Sequence, residues 1–81
     1  MTYRAHIIYK LKRKKLPVAM RLMPQAEMLT GILRDHGPVV RPRFLELIRK
    51  ASEGRYSQSP EIILNWWQKK LITAGVMEKS K

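Results

Sequence analysis

Asn65, Gln68 and Lys69 fall on one side of the run from Pro60 to Thr73 when its residues are placed at about 100° apart, and Glu61 and Thr73 join them. Amide side chains pair with adenine edges, and lysine suits guanine or phosphate, so this face has the chemistry to read a base sequence. A merely solvated face has the same composition. Just before the run stand Arg55, Ser57 and Ser59. Hydroxyls and free amides at a helix N-terminus suit a phosphate, and arginine adds charge-assisted bonds. Ser59 also has the plainer task of capping the helix.

A second constellation is the basic cluster Lys10, Lys12, Arg13, Lys14, Lys15 and Arg21, which no neighbouring acid offsets. It reads as a phosphate-gripping arm whose affinity is independent of sequence and strongly dependent on salt. Its bland counterpart is a solvated loop that keeps the protein in solution. Catalytic chemistry finds little support. There is no cysteine, no serine with an evident histidine and carboxylate, and no close carboxylate pair along a helix. His6 and His36 lie far apart without an acidic cluster, which argues against a metal site, and His36 suits the negative pole of a helix end. The reading is of a binding protein that needs neither cofactor nor metal, not an enzyme.

The elements that must position these residues are strongly punctuated. Ser59-Pro60 is a start signal and Ala74-Gly75 a stop, which predicts a helix from Pro60 to about Thr73 with Ile63, Leu64, Trp67, Leu71 and Ala74 inward. A first helix begins at Pro24, carries the stripe Met28, Leu29, Ile32, Leu33, and stops near His36-Gly37-Pro38. Val39-Val40 follows as an extended pair. A second helix is predicted from Pro42 to about Ala51, burying Phe44, Leu45, Leu47 and Ile48. Residues 3–11 alternate with Tyr3, Ala5, Ile7, Tyr9 and Leu11 on one side and read as a strand, though helical spacing also fits. After Lys12–Lys15 the chain could return as a strand through Val18 to Leu22 or remain a flexible basic arm.

Adjacent tryptophans cannot both centre on one helical stripe. Trp67 is expected in the core, and Trp66 at its margin with Ile62. There Trp66 can cover the edge of the core, meet a second subunit or stack on a nucleobase, and Trp66, Ile62 and Ile72 are the candidate interface for another protein.

Composition agrees with a binder. The 81 residues hold 17 Lys and Arg against six Asp and Glu, a formal charge of +11. A chain of this size supports one domain and no deep cleft beside its core. Such a charge calls for a polyanionic partner, nucleic acid before anionic membrane. Residues 1–24 carry seven of the basic residues and no acid. The apolar run Ala5 to Tyr9 is too short for a signal-peptide core or a membrane span, and the absence of cysteine is compatible with a reducing cytosol. The expected location is the cytoplasm, on the nucleoid if the host is bacterial.

Helix, Gly-Pro-Val-Val-Arg, helix, connection, helix and Ala-Gly-Val-Met, over residues 26–77, resembles the winged helix-turn-helix superfamily. The matching positions are His36-Gly37-Pro38, Val39-Val40, the inner residues Leu64, Trp67 and Leu71, and Ala74-Gly75-Val76-Met77 leading toward the wing. The resemblance implies a third helix in the major groove of duplex DNA and a wing beside the backbone. Two features depart from the pattern. The second connection is longer than the usual tight turn, and too few residues follow Gly75 for a full two-stranded wing. The missing strand is expected from Tyr3–Leu11 or Val18–Leu22, paired with Val39-Val40 or Val76-Met77.

The fold expected is mainly α with a small β component, a three-helix winged helix-turn-helix over residues 24–81 with a reduced wing, preceded by a basic strand or arm over residues 1–23. The function expected is duplex-DNA binding by a transcriptional regulator of a phage, plasmid or compact genome, paired with a second copy as a homodimer. A module that docks on a polymerase or nucleoprotein complex, and a structural RNA-binding protein, are the alternatives.

Overall fold

The computed structural model of the protein describes residues 7–13 and 23–80. Strand β1 spans Ile8–Leu11, helix α1 Pro24–His36, strand β2 Val39–Val40, helix α2 Arg41–Ser52, helix α3 Pro60–Thr73 and strand β3 Met77–Ser80. The described chain is mainly helical with a small antiparallel sheet of order β2-β1-β3. Tyr3, Ala5 and His6 of the expected first strand, the alternative strand Val18–Leu22, and the arm residues Lys14, Lys15 and Arg21 lie outside the described residues.

Helix boundaries follow the punctuation. Pro24 sits in the first turn of α1, where a missing amide costs nothing, and Gly37 closes the helix at φ 72° with its amide on the Leu33 carbonyl at 2.9 Å. Glu27 in the first turn and Arg34 and His36 in the last complement the helix dipole. Helix α2 starts at Arg41, one residue before the expected Pro42. At the head of α3 the Ser59 hydroxyl accepts from the Ile62 amide at 3.3 Å. Its far end closes with Gly75 at φ 76°, where the amides of Gly75 and Val76 donate to the carbonyls of Ile72 and Leu71, each at 3.0 Å. This double closure needs a left-handed residue, which glycine adopts without strain. It also drops Val76 into the core beside Leu71, both fully buried.

Between the two strands open to it, β1 pairs with both, matching Ile8 to Val40 and Tyr9 to Val39 on one side, and Ile8 through Leu11 to Ser80 through Met77 on the other. Residues 8–11 are thus the centre of the sheet and part of the unit formed by residues 24–80, so a boundary drawn at residue 23 separates elements that pack together. Its alternation is the expected one: Tyr9 is fully buried, Ile7 and Leu11 pack at the edge of the core, and Lys10 is exposed. The Tyr9 ring lies 5.3 Å from the Phe44 ring, tilted 55° to it, an arrangement that suits two aromatic quadrupoles. Ile63, Leu64, Trp67 and Leu71 complete the core from α3, and Phe44, Leu47 and Ile48 from α2. Leu45 and Ala74, expected in the core, are half-buried against it.

Candidate functional site

Helix α3 is the centre of the candidate site, since its inner side is fixed by the core and its outer side carries the polar residues singled out above. Asn65, Lys69 and Thr73 are exposed, as are Glu61 and Lys70. Gln68 is half-buried. Both amides turn their oxygens toward a buried arginine network. Arg41 is only 6% exposed and donates from Nη1 to the Tyr9 hydroxyl at 2.7 Å and from Nη2 to Asn65 Oδ1 at 2.9 Å. The Tyr9 hydroxyl in turn donates to Gln68 Oε1 at 3.0 Å.

Arg41 was not singled out in the sequence, where it reads as one more cation at a helix start. The position is electrostatically poor, because the first turn of α2 contains no acid and its dipole presents positive charge there. What holds the side chain is the fold. The Arg41 amide donates to the Ile7 carbonyl at 2.9 Å, which brings the start of α2 against the head of β1 and the Arg41 guanidinium to the Tyr9 hydroxyl. Among the described residues no carboxylate pairs with it, and its two acceptors are neutral. A buried tyrosine needs a partner for its hydroxyl, and that requirement is the one sequence signal that could have pointed here.

Five more of the residues singled out, Arg55, Ser57, Ser59, Lys12 and Arg13, fall at the two ends of α3. Arg55, Ser57 and Ser59 are exposed at its head, with the Arg55 guanidinium 5.4 Å from the Tyr56 ring centre. Lys12 and Arg13 are at its tail, where their amides share the Val76 carbonyl at 2.7 and 3.2 Å. Arg13 extends its guanidinium alongside Gly75, 3.8 Å from where a Cβ would stand. A cation there faces the negative pole of α3. The helix between is about 21 Å long at 1.5 Å per residue over its 14 residues. Arg55, Ser57 and Ser59 on one side, and Lys12 and Arg13 on the other, are therefore two separate groups flanking one exposed helix face.

Lys10 stands apart from both. It faces Glu78 directly across β1 and β3 and pairs with it at 2.9 Å. The hydrogen bond from Lys10 holds the Glu78 carboxyl below the usual carboxylate range, with the fields of Lys10 and Lys12 acting in the same direction.

Trp66 and Ile62, expected at the margin of the core, lie exposed, at 62% and 58%. Lys70 places its ammonium 4.6 Å from the Trp66 ring centre. Beside Trp66 an open hollow of about 810 Å³ is lined by Met23, Trp67, Lys69, Lys70, Thr73 and Ala74. Ile72 is not part of this margin. It lies about 120° around the helix from Trp66, half-buried against the core. Of the three candidate interface residues, Ile62 and Trp66 are thus exposed and Ile72 is not, while Met23, also exposed, lines the same hollow as Trp66.

Comparison with protein-family models, with curated proteins and with solved structures finds no match for this chain. Among the described residues no helix is long and apolar enough to cross a membrane.

Proposed function

We propose that this protein is a small duplex-DNA-binding protein of winged helix-turn-helix type, working as a transcriptional regulator inside a phage, plasmid or compact-genome host. The observation that carries the reading is the exposed outer face of α3 bounded by basic residues at both ends, in a chain of formal charge +11. Helix α3 lies in the major groove with Asn65 and Lys69 toward the bases. Arg55 and the capped head of the helix meet phosphate on one side of the groove, and Lys12 and Arg13 meet it on the other.

The order α1-β2-α2-α3-β3 supports the winged assignment. So does β1, which fills the central position of the sheet that a strand returning after β3 would take. In this reading the wing is assembled from the two ends of the described chain. One helix reads one half-site, so a second copy bound to the adjacent half-site supplies the affinity and completes the dimer.

The test is fluorescence anisotropy with mixed-sequence duplex DNA, single-stranded DNA and structured RNA, at low and near-physiological salt. Duplex binding that survives the higher salt is the expected result. Preference for structured RNA, or loss of binding to all three at the higher salt, overturns the reading.

One observation favours a second reading, that of a protein-docking module: the hollow beside Trp66 is apolar in its walls and rimmed by Lys69 and Lys70. On that reading an acidic partner surface covers Trp66, and Trp66→Ala removes partner capture while DNA affinity stays as it was.

A further inference from the structure

The arginine network fixes more than the position of two amides. Arginine offers donors only, so the oxygen of Asn65 must face Arg41 and its NH2 group must turn away from the guanidinium. The Tyr9 hydroxyl already accepts from Arg41, so its proton goes to Gln68 Oε1, and the Gln68 NH2 is likewise directed away from the network. With its oxygen engaged, Asn65 is a poor match for the bidentate adenine contact, which needs an acceptor and a donor together. It presents a donor.

Ile62 and Trp66 border that donor on the exposed side. Ile62 is three residues before Asn65 and four before Trp66, so it lies between the two as the helix-surface neighbour of each, and both apolar members are more than half exposed. A base edge complementary to a donor beside an apolar patch carries an acceptor beside a methyl group. In the major groove that is the edge of thymine, with its O4 and 5-methyl. Guanine offers acceptors without a methyl, while cytosine and the amino group of adenine turn a donor toward a donor.

We infer that α3 reads thymine: the Asn65 amide donates to O4, and Ile62 with the edge of Trp66 covers the 5-methyl group. The inference rests on the duplex-DNA reading above and names the base class that the same helix selects. Lys70, on the same exposed side, brings a phosphate of the thymine-bearing strand within reach of this surface.

The test replaces thymine by deoxyuridine, which removes the methyl from the major groove and leaves the minor-groove edges unchanged. Anisotropy at near-physiological salt compares an alternating A·T duplex, the same duplex with deoxyuridine at every thymine, and an alternating G·C duplex. The A·T duplex is expected to bind more tightly than its deoxyuridine counterpart by about fourfold for each methyl covered, the factor that burial of one such group carries. Ile62→Ala, at an exposed position, should bring that ratio toward one. Asn65→Asp keeps an acceptor for Arg41 but replaces the donor by an acceptor, and should lower A·T binding relative to G·C binding by about tenfold. Equal affinity for thymine and deoxyuridine duplexes overturns the inference and leaves duplex binding standing. Failure to bind any duplex overturns the DNA reading and the inference with it.

Discussion

Tyr9→Phe removes a single oxygen, and the structure makes that oxygen the junction of the buried network. The phenylalanine ring keeps its packing against Phe44, so no cavity is made and the change is almost purely one of hydrogen bonding. What is lost is the nearer of the two acceptors that serve a guanidinium only 6% exposed, together with the donor to Gln68. A hydrogen bond to a charged group contributes about 1.5–3 kcal/mol, and the larger figure applies when the charge stays buried without its partner. For a domain of this size a loss of that order lowers Tm by roughly 10 °C. Urea unfolding followed by tryptophan fluorescence measures it directly, because Trp67 is buried in the core. The companion variant is Arg41→Met, which replaces the charge by an apolar chain of similar length. Combined with Tyr9→Phe it removes both partners, so the double variant should be less destabilised than the sum of the two singles by at least about 1 kcal/mol. Additive effects, or a Tyr9→Phe cost below about 0.5 kcal/mol, would refute the reasoning, since the guanidinium would then be finding water or another acceptor instead of depending on Tyr9.

Ser59→Ala removes the acceptor for the Ile62 amide and should cost about 1 kcal/mol in the same urea assay; Ser59→Gly should cost only a few tenths if capping is the role. The Glu78 carboxyl titrates below its ordinary value, so its pairing with Lys10 stabilises the fold above the unfolded-state carboxylate pKa and is lost as pH falls through the lowered folded value. Melting temperature followed downward through the acidic range should therefore fall less in Glu78→Gln than in the parent, and added salt should narrow the difference. Lys12→Ala and Arg13→Ala should each reduce the slope of log affinity for duplex DNA against log salt by about one while weakening all sequences alike; a loss confined to one sequence would contradict their assignment to phosphate.

Helices α1 and α3 were legible in the sequence because each is marked where it starts and stops. Pro24, Ser59-Pro60, Gly37 and Gly75 act through local backbone chemistry that no distant contact is needed to decide. The inward residues were legible for the same reason, since Leu64, Trp67 and Leu71 recur at the helical period and all three are buried. The pairing of β1 was not, because a strand of four residues with alternating polarity fits any edge with free amides and carbonyls, and both candidate edges were real.

From that single long-range choice most of the candidate site follows. Placing β1 at the sheet centre sets Tyr9 beneath α3, and only then does Arg41 acquire acceptors far from it in sequence, across separations of 32 residues to Tyr9 and 24 to Asn65. Asn65 and Gln68 consequently change character. Helical spacing assigned them to a polar outer face, and it could not tell which end of each amide faces outward. The same choice brings Lys12 and Arg13 to the tail of α3 through the Val76 carbonyl, so the strand that completes the sheet also delivers the start of the basic segment to one end of the exposed helix. Fold and candidate surface are therefore coupled through β1.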